Sequence, residues 1–238
     1  MVRDRTVFAV VPARGGSKGI PRKNLRPVAG RSLIAHAAAF VAALPWLDAA
    51  LISTDDPEMA AEAERHGLAA PFLRPDHLSG DAAEAVGVWR HAWLNCEARE
   101  GLAMDLGLYL EPTSPMRTPE DAERCIAAIV EKGFETAATV SPTPSSYSFE
   151  KSLRIEDDGG LVFVAPLEAR VNRRQLVART WHRNGLCYAA TRAAVVERGE
   201  IIGERCAAVP VERRVVNVDE AFDLRIGELL MAGEAEAR

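Results

Sequence analysis

The sequence predicts an α/β fold in which a mainly parallel sheet is flanked by helices. Three observations carry this reading. Short apolar, β-branched runs alternate with helical stretches through the first half of the chain, and a strand–helix–strand order makes successive strands parallel. Leu106–Leu110 is apolar throughout, as strands buried in mid-sheet are. A glycine-rich, cationic loop leaves the first strand at the edge where open parallel sheets hold their ligands.

The elements follow in order. Val7–Val11 reads as a buried strand ended by Pro12. Ser32–Leu44 reads as a helix with Ser32 as its N-cap and Pro45 beyond its end. Strand Ala49–Ser53 precedes a helix over Pro57–His66 that Gly67 stops, and a long helix is expected over Asp81–Arg99. After strand Leu106–Leu110, Thr118 caps a helix that runs to Lys132, with Pro119 in its first position and Glu120 and Asp121 in its first turn. Gly133 closes it and Thr136–Val140 is the next strand. The rhythm then breaks over residues 142–180. Ser141–Ser148 is rich in Pro and Ser, and Asp157-Asp158-Gly159-Gly160 is a strong turn between Ser152–Ile155 and Leu161–Val164. This is a hairpin-bearing insertion. The pattern resumes with strand Leu186–Ala190, a helix near Arg192–Gly199, strand Ala207–Val211 and a last helix from about Glu220 to Met231. Residues 1–238 therefore read as a single domain with one insertion.

Composition narrows the function. The 238 residues are 48% apolar and 26% charged, with a formal net charge of −5, which is ordinary for a soluble globular chain. The N-terminal apolar run is too short for a signal-peptide core or a membrane span. Cys96, Cys125, Cys187 and Cys206 lie far apart with no C-x-x-C, so reduced core residues and a cytoplasmic protein are expected. The five histidines show no partner pattern, and no His-based nucleophile is argued. Between Asp4 and Asp48 there is no acidic residue at all. A positive island on an acidic protein is a local anion site, and neither a nucleic acid nor a membrane is expected as a partner.

That island centres on residues 11–24, Val-Pro-Ala-Arg-Gly-Gly-Ser-Lys-Gly-Ile-Pro-Arg-Lys-Asn. Glycines let backbone N–H groups approach an anion, and Arg14, Lys18, Arg22 and Lys23 neutralise it, so the loop is built to hold phosphate. It is neither a Walker A loop nor G-x-G-x-x-G, because Gly15 and Gly16 are adjacent and no Gly-Lys-Ser/Thr follows at the required gap. Asp55 and Asp56, at the end of the second strand, are candidate metal ligands, but an Asp before Pro57 is also an excellent helix cap, and the cap is preferred.

Ala13–Asn24 closely resembles the N-terminal signature of the acylneuraminate cytidylyltransferases, the CMP-sialic acid synthetase family. Five further patches fall in that family's order: Ser53-Thr54-Asp55-Asp56, Arg74-Pro75-Asp76, Pro112-Thr113-Ser114-Pro115-Met116-Arg117, Arg173-Arg174-Gln175 and Asn184-Gly185. The resemblance implies a Rossmann-like nucleotidyltransferase fold and transfer of CMP from CTP to a hydroxyl of a sugar acid, with release of pyrophosphate. It assigns Arg14 and Lys23 to the α-phosphate and the transition-state charge. Gly15, Gly16, Ser17 and Lys18 go to the nucleotide loop, with Ser17 and Lys18 on the outer phosphates. Asn24 is given to the base or ribose, and Arg74 also to the nucleotide. Thr113, Ser114, Arg173, Arg174, Gln175 and Asn184 go to the acceptor. It also implies that the insertion reaches a second subunit, making a homodimer.

Two departures from the family pattern stand out. Where the family carries Asp-x-Asp for Mg²⁺, this chain has Asn217-Val218-Asp219, which keeps two oxygen ligands but loses one charge. Where the family has Gln, this chain has Glu111, a residue that implies an acceptor other than sialic acid itself. Two other readings stay open at this point: the same transfer to a phosphonate or polyol, and a nucleotide-binding homologue without turnover.

Overall fold

The computed structural model describes residues 2, 4–17, 19–170 and 178–236. Its strands are β1 (Val7–Pro12), β2 (Pro27–Val28), β3 (Arg31–Ser32), β4 (Ala49–Ser53), β5 (Leu106–Tyr109), β6 (Thr136–Pro142), β7 (Leu153–Ile155), β8 (Leu161–Phe163), β9 (Trp181–Thr191) and β10 (Cys206–Pro210). The helices are α1 (Leu33–Ala42), α2 (Pro57–Arg65), α3 (Ala85–Glu100), α4 (Pro119–Lys132) and α5 (Ala221–Glu236).

Six strands form the central sheet in the order β10-β6-β9-β5-β1-β4. β1 is parallel to both β4 and β5, and β10 is parallel to β6. β9 runs antiparallel between β5 and β6, and it is longer than its apolar stretch Leu186–Ala190 predicts. Strand direction leaves no mark in hydrophobic periodicity, and the polar start Trp181-His182-Arg183-Asn184-Gly185 reads as a loop.

Alternation along β1 divides the core. Val7, Ala9 and Val11 face α1, α2 and α4, where Ile34, Met59, Ile126 and Ile129 are buried. Phe8 and Val10 face α3 and the helical turn Ala193–Arg198, among Trp89, Trp93, Tyr109 and Val195. A third cluster joins Ile20, Val28, Leu33 and Met116 to Val216 and Val218, with Leu224, Ile226 and Leu230 of α5 packed on it. This last cluster carries the chain from residue 215 to 219 back under the cationic loop.

Local chemistry explains the helix ends. Ser32 Oγ accepts from Ala35 N at 3.0 Å, and Asp56 Oδ1 accepts from Glu58 N at 2.8 Å and Met59 N at 3.2 Å. Asp121 Oδ2 accepts from Thr118 N at 2.9 Å, completing the box at the start of α4. α3 begins at Ala85 and not at Asp81, because Gly80 opens a turn closed by Ala83 N to Gly80 O at 3.1 Å. Residues 81–83 are thereby free to line the cavity described below.

The insertion carries the expected hairpin, β7 against β8. Its large apolar side chains face solvent, with Ile155 72% and Leu161 64% exposed. Among the described residues no helix is long and apolar enough to cross a membrane.

Gly107 lies at the tightest point of the α3 side. A Cβ there would sit 2.5 Å from Trp93 Cζ3 and 2.8 Å from Phe8 Cε1, whose rings pack edge to face at 4.7 Å. Gly107→Ala is expected to cost about 1–3 kcal/mol by overpacking, lowering Tm by about 2–4 °C per kcal/mol in a chain of this size. Differential scanning calorimetry of the two proteins checks this.

Candidate active site

A cavity of about 400 Å³ opens at the carboxyl ends of β1 and β5, between the cationic loop and residues 78–88. Its floor is fixed by Arg74. The guanidinium is buried and donates from Nη2 to Ala13 O and from Nη1 to Ser53 O, both at 3.0 Å, and from Nε to Ser79 Oγ at 3.3 Å. Asp55 lies 3.6 Å away. Burial lowers the Arg74 pKa, against the pull of the Asp55 charge. Arg74, expected on the nucleotide, lines the cavity, and its hydrogen bonds go to the protein. Ser53 O already accepts from Ala13 N at 2.9 Å, and Arg74 gives it a second donor while supplying one to Ala13 O.

Asp55 carries the brace into the loop by accepting from Gly15 N at 3.0 Å. That N–H, expected on phosphate, is therefore engaged. Asp56 caps α2, as preferred from sequence, and also takes Arg22 at 2.7 Å, with Glu58 pairing the same guanidinium at 3.0 Å. Arg22, counted from sequence among the cations of the loop, thus clamps its far end. Around these two ties Arg14, Ser17, Lys23 and Asn24 line the cavity, and among the described residues Gly16 has open space around it. Arg14 pairs with Asp81 at 3.0 Å, and Lys23 Nζ pairs with Asp219 Oδ1 at 2.8 Å. Asn24 is 6% exposed, and among the described residues its Oδ1 has no hydrogen-bond partner. Lys18, Arg173, Arg174 and Gln175 lie outside the described residues.

The other end of the cavity is built around the bend in β9. Thr113 lines the cavity, and its carbonyl accepts from Val218 N at 2.7 Å, docking the 216–219 segment. Asp219 N and Glu220 N donate to Asp223 Oδ2 at 2.9 and 2.8 Å, which fixes the Asp219 backbone. Gly185 has a left-handed φ of +70°, and a Cβ there would meet Glu111 Oε2 at 2.6 Å, Ser114 Oγ at 2.9 Å and Asn217 Nδ2 at 3.5 Å. These three side chains therefore converge on one glycine. Asn184 and Ser114, expected on the acceptor, make internal hydrogen bonds. Asn184 Oδ1 accepts from Thr139 Oγ1 at 2.7 Å and Leu186 N at 3.2 Å, and its Nδ2 donates to Ser141 Oγ at 3.0 Å. Its amide is spent holding the strand irregularity together. Ser114 is fully buried, with its Oγ turned to Asn184 O and Asn217 Oδ1 at 3.4 Å each.

Glu111 keeps its place in the site. Burial raises its pKa and the Asp219 charge adds to the rise, while Arg117, Arg183 and Lys23 oppose it. Arg117 does not take the carboxyl. It is fully buried, and its Nη2 donates to the Glu111 carbonyl and its Nε to Leu186 O at 2.8 Å. Burial pushes its pKa down to about 10. Arg183, Asp81 and the bracing role of Asp55 were not singled out by sequence reasoning. Each is one ordinary charged residue whose neighbours come from distant parts of the chain, so no local signal marks it.

For a divalent cation, the donor set is modest. No group of three His, Cys, Asp or Glu side chains suited to a metal occurs among the described residues. Asp219 offers a carboxylate that is 67% exposed beside the cavity, and Asn217 offers an amide oxygen. That set fits Mg²⁺, which one or two carboxylates hold together with substrate phosphates, and does not make an all-protein cage.

Comparison with known proteins agrees with this geometry. A family model described as cytidylyltransferase matches residues 8–154, more than half of the chain. The chain belongs to the cytidylyltransferase family. It is 28% identical over 236 residues to the CMP-N,N'-diacetyllegionaminic acid synthase of Legionella pneumophila, covering 97% of this chain and 98% of that one. It is 24% identical over 224 residues to the pseudaminic acid cytidylyltransferase of Campylobacter jejuni, covering 94% and 95%. In fold it is similar to a CMP:2-keto-3-deoxy-manno-octonic acid synthetase solved in complex with CTP, with a TM-score of 0.70, 19% identity, and 96% and 99% coverage.

The ionised Glu111 carboxyl is penalised by burial, so folding favours its protonated form and wild-type stability falls as pH rises through its folded pKa. Without nucleotide or Mg²⁺, Glu111→Gln is expected to raise Tm at pH 8, at about 2–4 °C for each kcal/mol gained. The advantage should shrink as pH falls below the carboxylate range. Thermal melts across that window check it, and a pH-independent difference contradicts it.

Proposed function

We propose that the protein transfers CMP from CTP to the anomeric hydroxyl of a nonulosonic-type sugar acid. The hydroxyl oxygen attacks the α-phosphorus, the bond to the bridging oxygen breaks, and pyrophosphate leaves carrying the proton. The observation that carries the reading is the braced loop. It lays Arg14 and Lys23 along one cavity and leaves the buried Asn24 Oδ1 without a donor among the described residues, which a ribose hydroxyl or the cytosine amino group supplies. Phosphoryl transfer asks for positioning and charge stabilisation more than for covalent chemistry. Lys23 is positioned by Asp219 before nucleotide arrives, and the exposed Arg14–Asp81 pair gives way to phosphate at little cost. Asp219 and Asn217 would hold Mg²⁺, which supplies charge neutralisation on the phosphates when bound. Lys18 belongs with the outer phosphates, and Arg173, Arg174 and Gln175 with the acceptor, on the family resemblance alone.

The protein is read as a homodimer joined through the insertion. A two-stranded hairpin is marginal by itself. Here Leu153, Ile155, Leu161, Phe163 and Val164 are between 40% and 72% exposed, with Tyr147, Phe149 and Leu167 exposed beside them. A continuous apolar surface of this kind marks an interface, and a second copy of the chain is its occupant. Sedimentation is expected to give a dimer at micromolar concentration. Ile155→Asp with Leu161→Asp should give a folded monomer, and a monomeric wild type overturns the assignment.

Release of pyrophosphate from CTP with a panel of sugar acids, a phosphonate and a polyol tests the activity. Turnover with an acid is expected, and turnover only with another acceptor, or none, overturns the reading. Lys23→Ala should lower kcat by about 10²–10³, or roughly 3–4 kcal/mol, as loss of a preorganised transition-state charge does. Its far-UV circular dichroism should match wild type. Wild-type turnover by this variant contradicts the role given to Lys23.

A further inference from the structure

The irregularity in β9 presents one exposed cation two residues before Gly185, the glycine that Glu111 Oε2 approaches. Ala138 of β6 pairs with Tyr188 and Val140 pairs with Arg183, so two steps along β6 answer five along β9. In a regular strand, residues five apart point to opposite faces. Here the bulge absorbs the surplus residues, so Arg183 and Tyr188 return to the same face. The Asn184 amide holds the bulge closed through Thr139, Ser141 and Leu186 N.

Arg183 is exposed, and among the described residues it makes no hydrogen bond and no ion pair. Its charge acts on the Glu111 carboxyl and on the Tyr188 phenol. The other cations acting on Glu111 are committed: Arg117 to the Glu111 and Leu186 carbonyls, and Lys23 to Asp219. Among the described residues, Arg183 is thus the uncommitted cation acting on Glu111, and it is mounted on a central strand.

We propose that Arg183 binds the carboxylate of the acceptor from within the same chain, while Glu111 accepts hydrogen bonds from hydroxyl or amide N–H groups of that molecule. The inference rests on the reading of the protein as a sugar-acid cytidylyltransferase. A planar guanidinium matches a carboxylate with two parallel hydrogen bonds. It also offsets the repulsion that Glu111 would otherwise exert on an acid. In a 2-keto sugar acid the carboxylate is bonded to the carbon that bears the attacking hydroxyl, so a grip on one places the other.

The test compares wild type, Arg183→Gln and Arg183→Lys by pyrophosphate release, with N,N'-diacetyllegionaminate, pseudaminate and 3-deoxy-manno-octulosonate taken in turn as acceptor. Arg183→Gln is expected to raise the acceptor KM by about tenfold to a hundredfold, the range of a charged hydrogen bond. The CTP KM and Tm should stay unchanged, and Arg183→Lys should recover part of the loss. With an acceptor whose carboxylate is reduced to a hydroxymethyl group, wild type and Arg183→Gln should perform equally. An unchanged acceptor KM in Arg183→Gln, an equal loss on the reduced acceptor, or a loss seen only in Arg173→Gln and Arg174→Gln overturns the inference while leaving the enzyme reading intact. A wild type silent with every acid overturns both.

Discussion

A buried guanidinium holds the nucleotide end of this protein together. Arg74 binds the carbonyls of Ala13 and Ser53, the last main-chain acceptors of two adjacent parallel strands. Burying a charge is costly unless it is paired and fully hydrogen-bonded. Here the cost is offset by three oxygen acceptors and the nearby Asp55 carboxylate. Asp55 in turn takes the Gly15 N–H. A loop of glycines and cations, which would otherwise scatter through many conformations, is tied to the sheet by a relay of two side chains.

The charges around the cavity fall into two kinds. Arg74 and Arg117 are buried and bonded to main-chain carbonyls, and breaking either would strand polar groups away from water. Arg14–Asp81 is an exposed pair, with side chains 40% and 57% accessible, and such pairs contribute about 0–1 kcal/mol. A triphosphate can displace that carboxylate cheaply. The loop therefore keeps its shape through its buried ties and stays responsive through its exposed one.

The nucleotide half was legible because composition and local rules carry it. Four cations without an acid and a strand ending in proline are read from local rules, and the cap preferred for Asp56 before Pro57 is the one found on α2. The acceptor half was harder to read. Asn184 and Ser114 looked like ligand-facing polar residues, yet their groups satisfy the bulge and the 217 segment. Which way a side chain faces there depends on how many residues the bulge absorbs, and that number is set by the pairing of β6 with β9. Arg74 was assigned to ligand for a related reason: burial of a guanidinium is decided by strand ends that lie 21 and 61 residues away.

The strand order has a kinetic consequence. β9 lies between β5 and β6, yet it is the ninth strand to leave the ribosome. Until residues 181–191 emerge, β4-β1-β5 and β6 are separate pieces, each with an open edge toward the gap. Non-local strand closure is slow, and open apolar edges are the places where nascent chains associate wrongly. The exposed hairpin is synthesised just before β9, so the most adhesive surface of the chain appears while its sheet is still unclosed. Closure of the sheet thus waits on one antiparallel strand finding the gap between two parallel neighbourhoods.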